Sequence, residues 1–285
     1  MRPEANGHLR IAVDIGGTFT DVTAFDSTGG AVTLGKALST PANLVEGIMS
    51  ALDKTNVSPA EANLIIHGST VVINAIMERR GAKTALVTTK GFRDVYEIGR
   101  INRPESFNLF FRKHKPLVPR DLIFEIPERM LADGSEERPL DEAAAREVAM
   151  KISDLGMEAV GVLFLHSYFA PEHEIRMCEI LREVNPKLFV TASHELSREY
   201  REYERTSTVA ANAYVGPIVS RYLGDLEKRL DDDGFTGSLL IMQSSGGLYD
   251  LKTARDQCVQ MLESGPAGGV VGTMAICDAL GLDNA

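Results

Sequence analysis

Cysteine is scarce in this chain, and the three that it has, Cys178, Cys258 and Cys277, do not occur in closely spaced pairs. Disulfide frameworks and structural zinc sites both need paired or clustered cysteines, so neither is indicated. A chain without disulfides suits a reducing compartment, and we therefore expect a cytoplasmic protein.

Positive charge is also in short supply. The 285 residues contain 30 lysines and arginines against 40 aspartates and glutamates, which gives a formal net charge of −10. Nucleic acids and anionic membrane surfaces attract proteins through positive potential, so general binding to either is disfavoured. The expected partners are small molecules or other proteins.

Long hydrophobic runs are missing as well. No segment approaches the roughly 20 consecutive apolar residues of a membrane-spanning helix, and residues 1–6 lack an apolar stretch. With 44% hydrophobic residues the chain can bury a substantial core. Its length predicts roughly two domains of about 150 residues each, and we expect a soluble globular protein.

The most informative segment runs from Asp14 to Asp21, with the sequence DIGGTFTD. Apolar and polar residues alternate on both sides of it, which predicts two strands joined by a tight corner at Gly16 and Gly17. Glycines at such a corner can adopt positive φ and leave backbone N–H groups free to point at an anion. Thr18 can add a hydroxyl, so the segment predicts a phosphate-binding loop.

Two carboxylates and a further hydroxyl flank this corner. Asp14, at the end of the first strand, is placed to hold Mg²⁺ directly or through water, because Mg²⁺ prefers oxygen ligands and keeps much of its hydration. Asp21 is a second candidate metal ligand, and Thr20 is a candidate contact to the nucleotide. The glycines alone are equally consistent with a plain hairpin, and that alternative stays open.

A second glycine-rich segment, Gly30–Ala37, fits the P-loop pattern except at its last position. Ala37 has no hydroxyl for Mg²⁺, and the alternation of Val32 and Leu34 is typical of a strand. We interpret the segment as a third strand rather than as a phosphate loop.

Strand and helix patterns alternate along the chain, which predicts an α/β fold. Residues 100–139 are less periodic and are expected to form an excursion or long loop. A helix over 199–230 is expected to bend or break at Gly216-Pro217, with a second unit beginning after the charged segment 231–234. Further strands are expected at 64–67, 84–88, 159–165, 188–192, 238–242 and 259–262, and further helices at 44–52, 71–80, from Asp141 to Leu155, around 175–181, and from Gly265 to Leu280.

His67 is a candidate functional residue because it ends a predicted strand at the N-terminus of a predicted helix. Backbone donors at such a place can receive an anion or a carbonyl oxygen. Ordinary capping by Ser69 or Thr70 explains the pattern as well. Gly265 opens the last helix and could contact phosphate in the same way, although close helix packing is the favoured interpretation.

A basic and aromatic run extends from Arg100 to Lys115. Binding of single-stranded nucleic acid is disfavoured by the acidic balance of the chain. Substrate contact or a subunit interface is expected instead, with Arg100 and Arg103 as the main candidates. Three histidines elsewhere match no zinc spacing and are expected on the surface or in loops: His166, His173 and His194.

Eight motifs follow one another along the chain: the segment 14–21, His67–Thr70, residues 74–81, Gly91–Asp94, Gly99–Pro104, His194-Glu195, Glu202–Thr208 and Ser264–Gly269. Together, and in this order, they resemble the motifs of the hydantoinase A and 5-oxoprolinase family, and the resemblance spans nearly the whole chain.

The resemblance implies an actin-like ATPase fold of the ribonuclease H type, with a mixed sheet that opens with a β-hairpin phosphate loop. It implies that Gly16, Gly17 and Thr18 contact the phosphates of ATP and that Asp14 positions Mg²⁺. It also favours catalytic roles near the substrate for His67 and Arg100.

Members of this family include ATP-dependent hydrolases of hydantoins, 5-oxoproline and lactams, together with subunits of acetone and acetophenone carboxylases. Their shared chemistry is activation of a carbonyl or enol oxygen by phosphoryl transfer. We expect a cyclic-amide hydrolase subunit that works with a hydantoinase B-type partner in a hetero-oligomer. A carboxylase subunit and a non-catalytic nucleotide-binding or assembly module are the alternatives.

The resemblance also divides the chain. Residues 1–195 are expected to form the N-terminal hydantoinase/oxoprolinase-type domain, and residues 196–285 to begin a second actin-like domain that is incomplete in this chain. The second phosphate hairpin of the superfamily would follow the last helix, so weak or absent catalysis is expected of these residues alone.

Overall fold

The computed structural model describes residues 8–100, 105 and 107–284, which contain twelve β-strands and nine α-helices. No helix among these residues is both long enough and apolar enough to cross a membrane. The strands are β1 (Leu9–Ile15), β2 (Phe19–Asp26), β3 (Val32–Leu38), β4 (Ala62–Ser69), β5 (Thr84–Thr89), β6 (Ile123–Ile126), β7 (Arg129–Met130), β8 (Glu136–Arg138), β9 (Ala159–Leu163), β10 (Phe189–Ala192), β11 (Ser238–Met242) and β12 (Leu248–Asp250). The helices are α1 (Leu44–Asp53), α2 (Val71–Met77), α3 (Val95–Ile98), α4 (Glu142–Asp154), α5 (Glu172–Val184), α6 (Ser193–Leu196), α7 (Glu202–Asp232), α8 (Leu251–Asp256) and α9 (Ser264–Leu280).

These elements form two compact units. Unit 1 contains the described residues up to Glu78 and those from Ile218 onward, and unit 2 contains Arg79–Pro217. The division passes through α7, whose first residues belong to unit 2 and whose remainder belongs to unit 1. The boundaries of these units differ from the domain boundary expected after residue 195. The division into family domains 1–195 and 196–285 stays a prediction.

Unit 1 is built on a six-stranded sheet in the order β12-β11-β4-β1-β2-β3. β1 is antiparallel to β2 and parallel to β4, and β11 is parallel to β4. Buried and exposed residues alternate strictly along β1, because successive side chains of a strand point to opposite faces of the sheet. The predicted opening strands and the hairpin between the first two are confirmed.

The P-loop-like segment is a strand, as predicted, and one of its glycines serves helix packing. A Cβ atom added to Gly35 in β3 would lie 2.0 Å from the backbone oxygen of Ala51 in α1. Real Cβ contacts are never this short, so only glycine lets α1 lie this close to the strand.

The strands that follow α7 complete the opening sheet instead of starting a sheet of their own. β11 pairs with β4, and β12 pairs with β11. The strand predicted at 259–262 is wrong, because Cys258–Met261 forms a 3-10 turn. Cys258 and Met261 are both fully buried at a spacing of three, a helical period that a short apolar run does not distinguish from a strand.

Unit 2 is built on a four-stranded parallel sheet in the order β10-β9-β5-β6. Every residue of β9 is buried, as expected for a strand covered on both faces, and the predicted β9-α5-β10 arrangement is confirmed. The N-cap predicted at Asp141 is also confirmed, because its carboxylate accepts a hydrogen bond of 3.0 Å from the Ala144 amide. The expectation of an irregular excursion over 100–139 is wrong in part, since β6 extends the sheet and β7 and β8 form a small hairpin.

Helix α7 continues through Gly216-Pro217, where the sequence predicted a bend or a break. A Cβ atom on Gly216 would lie 2.2 Å from the ring of Phe189, so this glycine is needed for close packing within unit 2. Pro217 removes only one backbone donor, and a helix of 31 residues keeps enough other hydrogen bonds to continue.

We predict that Gly35→Ala lowers the free energy of unfolding by about 3 kcal/mol, because either α1 or β3 must move to admit the methyl group. Urea unfolding measures this loss. Gly269→Ala is the matched control, since this exposed helical glycine has open space around its Cβ position; alanine there should stabilise α9 slightly. Equal stability of the two variants would contradict the close approach of α1 to β3.

Candidate functional site

The loop of residues 16–18, which we call the glycine corner, lies at the carboxyl edge of the unit 1 sheet. Ile15, the last residue of β1, is paired with Ser69, the last residue of β4. The Ser264 hydroxyl donates to the Ser69 carbonyl oxygen (3.1 Å) and accepts from the Ser69 amide (3.3 Å). The N-terminus of α9 is therefore attached beside the corner, at the edge where ligands of parallel sheets bind.

Hydrogen bonds hold the glycine corner by its carbonyl groups. The Ser39 hydroxyl donates to the Gly16 carbonyl oxygen (2.8 Å), and the Ser39 amide donates to the Thr18 carbonyl oxygen (2.8 Å). The Gly16 amide closes the turn on Phe19 O (2.9 Å). Among the described residues the amides of Gly17 and Thr18 have no acceptor, so two exposed N–H donors remain at the corner.

The glycines are required for a different reason from the one predicted. Neither Gly16 nor Gly17 has positive φ. A Cβ atom on Gly16 would lie 3.2 Å from Phe19 O, which is a tight contact, so glycine there lets the turn close. At Gly17 the nearest atom to a Cβ would be Asn74 Nδ2, 4.0 Å away, so the absent side chain leaves the surface of the corner bare.

Asp14 lies one residue before the end of β1, next to a glycine on β4. It is paired with Gly68, and a Cβ atom there would lie 3.3 Å from Asp14 Oδ1, so the glycine leaves space beside the carboxylate. Asp21 is the antiparallel partner of Asp14 on β2. Partial desolvation raises the pKa of Asp14, and the charge of Asp21 raises it further.

Asp21 already has a cationic partner. Lys36 Nζ lies 2.7 and 3.0 Å from the two carboxylate oxygens of Asp21, and it also lies 4.7 Å from the centre of the Phe19 ring. Within the described part of the chain, no group of three His, Cys, Asp or Glu side chains could hold a metal ion. A metal at this edge would therefore depend on Asp14 and on water or phosphate oxygens.

Thr20 and His67 are core residues, so neither side chain is accessible to a ligand in this structure. Thr20 is fully buried, and its hydroxyl lies 3.2 Å from that of Ser39, so it helps to hold the corner from behind. His67 is also fully buried, with Nδ1 3.3 Å from the Val13 carbonyl oxygen and Nε2 2.6 Å from the Tyr222 hydroxyl. Both ring nitrogens are occupied, and burial lowers the pKa of His67 to about 4.

Arg100 lies in unit 2, where its guanidinium forms an ion pair with Glu204 and stays half-exposed. Arg103 lies outside the described residues. Two of the histidines expected on the surface or in loops instead contact buried carboxylates. His173 lies between Glu128 (2.8 Å) and Glu136 (3.0 Å), and His194 Nδ1 lies 2.7 Å from Glu174.

Sequence reasoning missed the residues that hold the corner in place, chiefly Ser39, Gly68 and Ser264. Ser39 follows β3 by one residue and carries no pattern that links it to a loop more than 20 residues earlier. Gly68 and Ser264 belong to recognised motifs, but their spatial relation to Asp14 and Ser69 arises only when β1, β4 and α9 pack together.

Two family patterns cover most of the chain: hydantoinase/oxoprolinase N-terminal region matches residues 10–185, and hydantoinase/oxoprolinase matches residues 205–285. The chain belongs to the hydantoinase/oxoprolinase family. It is 32% identical to the 5-oxoprolinase of Saccharomyces cerevisiae over 95% of this chain and 24% of that protein.

Solved structures of two family relatives have the same fold. The nucleotide-free structure of an acetone carboxylase superposes with a TM-score of 0.85 at 28% identity, covering 95% of this chain and 41% of that one. The ATP-dependent caprolactamase of Pseudomonas jessenii gives a TM-score of 0.84 at 34% identity, covering 96% and 41%. The α/β fold is therefore of the actin-like ATPase type, and the chain spans about two fifths of the length of these relatives.

We predict that His67 makes the stability of the protein fall in mild acid. Its ordinary pKa of 6.5 is lowered to about 4 on folding, so between these values the unfolded chain binds more protons and the free energy of unfolding decreases as the pH falls. From pH 7 to pH 5 this residue alone should cost about 2 kcal/mol.

Urea unfolding at the two pH values, in the wild type and in His67→Gln, measures this contribution as the difference in pH dependence. His114→Gln is the matched control, since His114 is exposed and its replacement should leave the pH dependence unchanged. If His67→Gln shows the wild-type pH dependence of stability, the conclusion that the buried imidazole of His67 is neutral in the folded protein is wrong.

Proposed function

We propose that the glycine corner binds the phosphates of ATP and that the chain is the N-terminal part of an ATP-dependent cyclic-amide hydrolase subunit. The observation that carries this proposal is the pair of free amides at Gly17 and Thr18, in the loop that directly follows Asp14 and Ile15 at the carboxyl edge of the sheet. Backbone N–H groups fixed in this way bind an anion at little entropic cost, because hydrogen bonds to Ser39 already order the loop.

Gly16, Gly17 and Thr18 are proposed as the phosphate contacts. The bare surface at Gly17 lets a phosphate approach the backbone, and the Thr18 side chain is exposed and can donate its hydroxyl. Gly265 is proposed as a further contact, since it lies in the first turn of α9 beside Ser69 and has open space around its Cβ position. Thr20 supports the loop and makes no contact with the nucleotide.

The residues at the corner fit a magnesium ion held by one carboxylate. The pKa of Asp14 is raised first by partial desolvation and then by the charge of Asp21, so a divalent cation beside this exposed carboxylate would stabilise its charged form. Asp21 fits less well, because Lys36 occupies both of its oxygens. Bound with ATP, Mg²⁺ would neutralise charge on the phosphates as the γ-phosphoryl group is transferred.

The proposed reaction is phosphorylation of the carbonyl oxygen of a hydantoin, 5-oxoproline or lactam ring, which prepares the ring for hydrolysis. Support comes from the likeness to a 5-oxoprolinase and to an ATP-dependent caprolactamase. A hydantoinase B-type partner in a hetero-oligomer is proposed for the hydrolytic step, since the similar caprolactamase chain is named a subunit. Arg100 is retained as a proposed substrate contact, and the buried His67 is not.

An ATP-dependent ketone carboxylase subunit is the second candidate function. The acetone carboxylase likeness is as good in TM-score as the caprolactamase likeness, and activation of an enol oxygen would use the same phosphate site. Substrate selectivity separates the two functions, and a non-catalytic nucleotide-binding module would respond to neither substrate class.

We predict that Asp14→Asn weakens binding of MgATP to this chain by about tenfold or more, because the variant loses the carboxylate that faces the metal. Isothermal titration calorimetry with and without Mg²⁺ measures the loss. Asp21→Asn is the matched comparison and should change affinity by less than about threefold, since Lys36 already balances that charge. Unchanged MgATP affinity in Asp14→Asn would disprove the proposed metal position.

We also predict that a full-length subunit assembled with its partner releases phosphate faster when a cyclic amide is added. Hydantoin, 5-oxoproline and caprolactam should each be compared with acetone plus bicarbonate in a phosphate-release assay. Stimulation by the ketone alone would select the carboxylase function, and nucleotide binding without stimulation by any of these would favour the non-catalytic module.

A further inference from the structure

A turn in unit 2 exposes three large apolar side chains. Phe107 is 97% exposed, and Leu109 and Phe110 are each 89% exposed. Single exposed apolar residues are common on folded proteins, whereas several side by side mark a surface that contacts another molecule. We call residues 107–110 the phenylalanine turn.

Hydrogen bonds give the phenylalanine turn a defined shape. The Asn108 side chain accepts from the Phe110 amide (2.9 Å) and donates to Glu105 Oε2 (2.5 Å). Just after the turn, Lys113 Nζ donates to the Ile98 carbonyl oxygen (3.1 Å) at the end of α3. An apolar turn that is already ordered loses less conformational entropy on binding than a flexible one.

Positive charge follows the phenylalanine turn directly. Arg112 and Lys115 are exposed, on a chain whose formal net charge is −10. Arg79 holds the end of this segment, with its terminal nitrogens donating to the carbonyl oxygens of Lys115 (2.6 Å) and Pro116 (3.2 Å). An apolar surface beside cations fits a concave apolar surface that carries negative charge.

Unit 1 contains a concave surface of this kind. A cavity of about 360 Å³, open to solvent, lies where β11 begins. β12 pairs only with residues 240–242 of β11, so no strand among the described residues covers Ser238 and Leu239 on that side. Because β11 is parallel to β4, which ends beside the glycine corner, the cavity and the corner lie at opposite edges of the sheet.

The lining of this cavity combines apolar side chains with an excess of negative charge. Leucines and a phenylalanine supply the apolar surface, including Leu230 and Phe235. Arg255 forms an ion pair of 2.8 Å with Glu227, so the other charged groups of the lining decide its sign, and two of these three are carboxylates. We call it the acidic cavity, and its charged residues are Glu227, Asp231, Asp250 and Lys252.

We propose that the phenylalanine turn of one copy of this chain binds in the acidic cavity of a second copy. Phe110 enters the cavity, whose volume lies in the range of small-ligand sites, about 300–1,000 Å³. Arg112 and Lys115 then face Asp231 and Asp250 of the other copy. Two acidic chains repel each other over most of their surface, so they associate where a positive segment meets a negative one.

The proposed contact uses neither the glycine corner nor a bound ligand, so it is independent of the proposed function. One turn buries a small area, and small interfaces are typical of weak association. Self-association is therefore expected to depend on protein concentration.

The test is sedimentation velocity of the 285-residue chain from about 5 to 200 µM, where the wild type should associate increasingly with concentration. Phe110→Ser should weaken this association about tenfold or more, because the ring that fills the cavity is lost. Met150→Ser is the matched control, since Met150 is also an exposed apolar residue of unit 2; it should associate as the wild type does.

A second variant blocks the cavity instead of the turn. Ser238→Trp places a large ring in the cavity at an exposed strand position, where tryptophan is well accepted, so the melting temperature should not change. This variant and Phe110→Ser should each remain monomeric. Their equimolar mixture should form a 1:1 dimer, because Phe110→Ser keeps an intact cavity and Ser238→Trp keeps an intact turn. Asp231→Lys should weaken association of the otherwise unchanged chain about fivefold.

The proposal is overturned if the wild type stays monomeric over this concentration range or if the mixture contains no dimer. It is also overturned if Met274→Ser, on the exposed apolar surface of α9, abolishes association while Phe110→Ser does not. MgATP binding should be the same in all of these variants, so failure of this proposal and failure of the proposed function can be told apart.

Discussion

Parallel pairing of β1 with β4 is the constraint on which the candidate nucleotide site depends. It sets Asp14 beside Gly68 and Ile15 beside Ser69, so that the glycine corner, the end of β4 and the start of α9 meet at one edge. The hairpin alone would place Asp14 opposite Asp21 with no space reserved beside the carboxylate. Hydrogen bonds from Ser39 then fix the corner through its carbonyl groups, and this leaves the amides of Gly17 and Thr18 outward. A preordered set of donors binds phosphate without first losing conformational entropy.

The two aspartates of the hairpin have different electrostatic surroundings. Lys36 comes from the strand whose sequence mimics a P-loop, and it balances the charge of Asp21 instead of meeting a phosphate. Asp14 keeps an exposed carboxylate whose pKa is raised by partial desolvation and by Asp21. A cation beside Asp14 would therefore interact chiefly with that carboxylate, because Lys36 already offsets the charge of Asp21.

Unit 2 contains a buried cluster of polar and charged side chains around Glu174. Glu174 accepts hydrogen bonds from Ser167 (2.8 Å), Ser193 (2.7 Å) and the His194 amide (3.1 Å), and Arg205 is buried beside it. Removing charges from water is costly, and a buried ion pair rarely repays that cost in stability alone.

The sequence by itself determined the α/β class, the hairpin at residues 14–21, the strand at Gly30–Ala37 and the family, because alternation, turn residues and ordered motifs are local properties of the chain. Periodicity could not distinguish the 3-10 turn at Cys258–Met261 from a strand, nor reveal β6 within an irregular stretch, since short apolar runs fit several structures. The sequence also predicted a nucleotide contact for Thr20 and a catalytic role for His67, whereas packing buries both side chains. Only the tertiary structure decided which residues are accessible, that β11 completes the opening sheet, and that Ser39 holds the glycine corner. Burial and long-range hydrogen bonds depend on which elements pack together, and neighbouring residues in the sequence do not specify that.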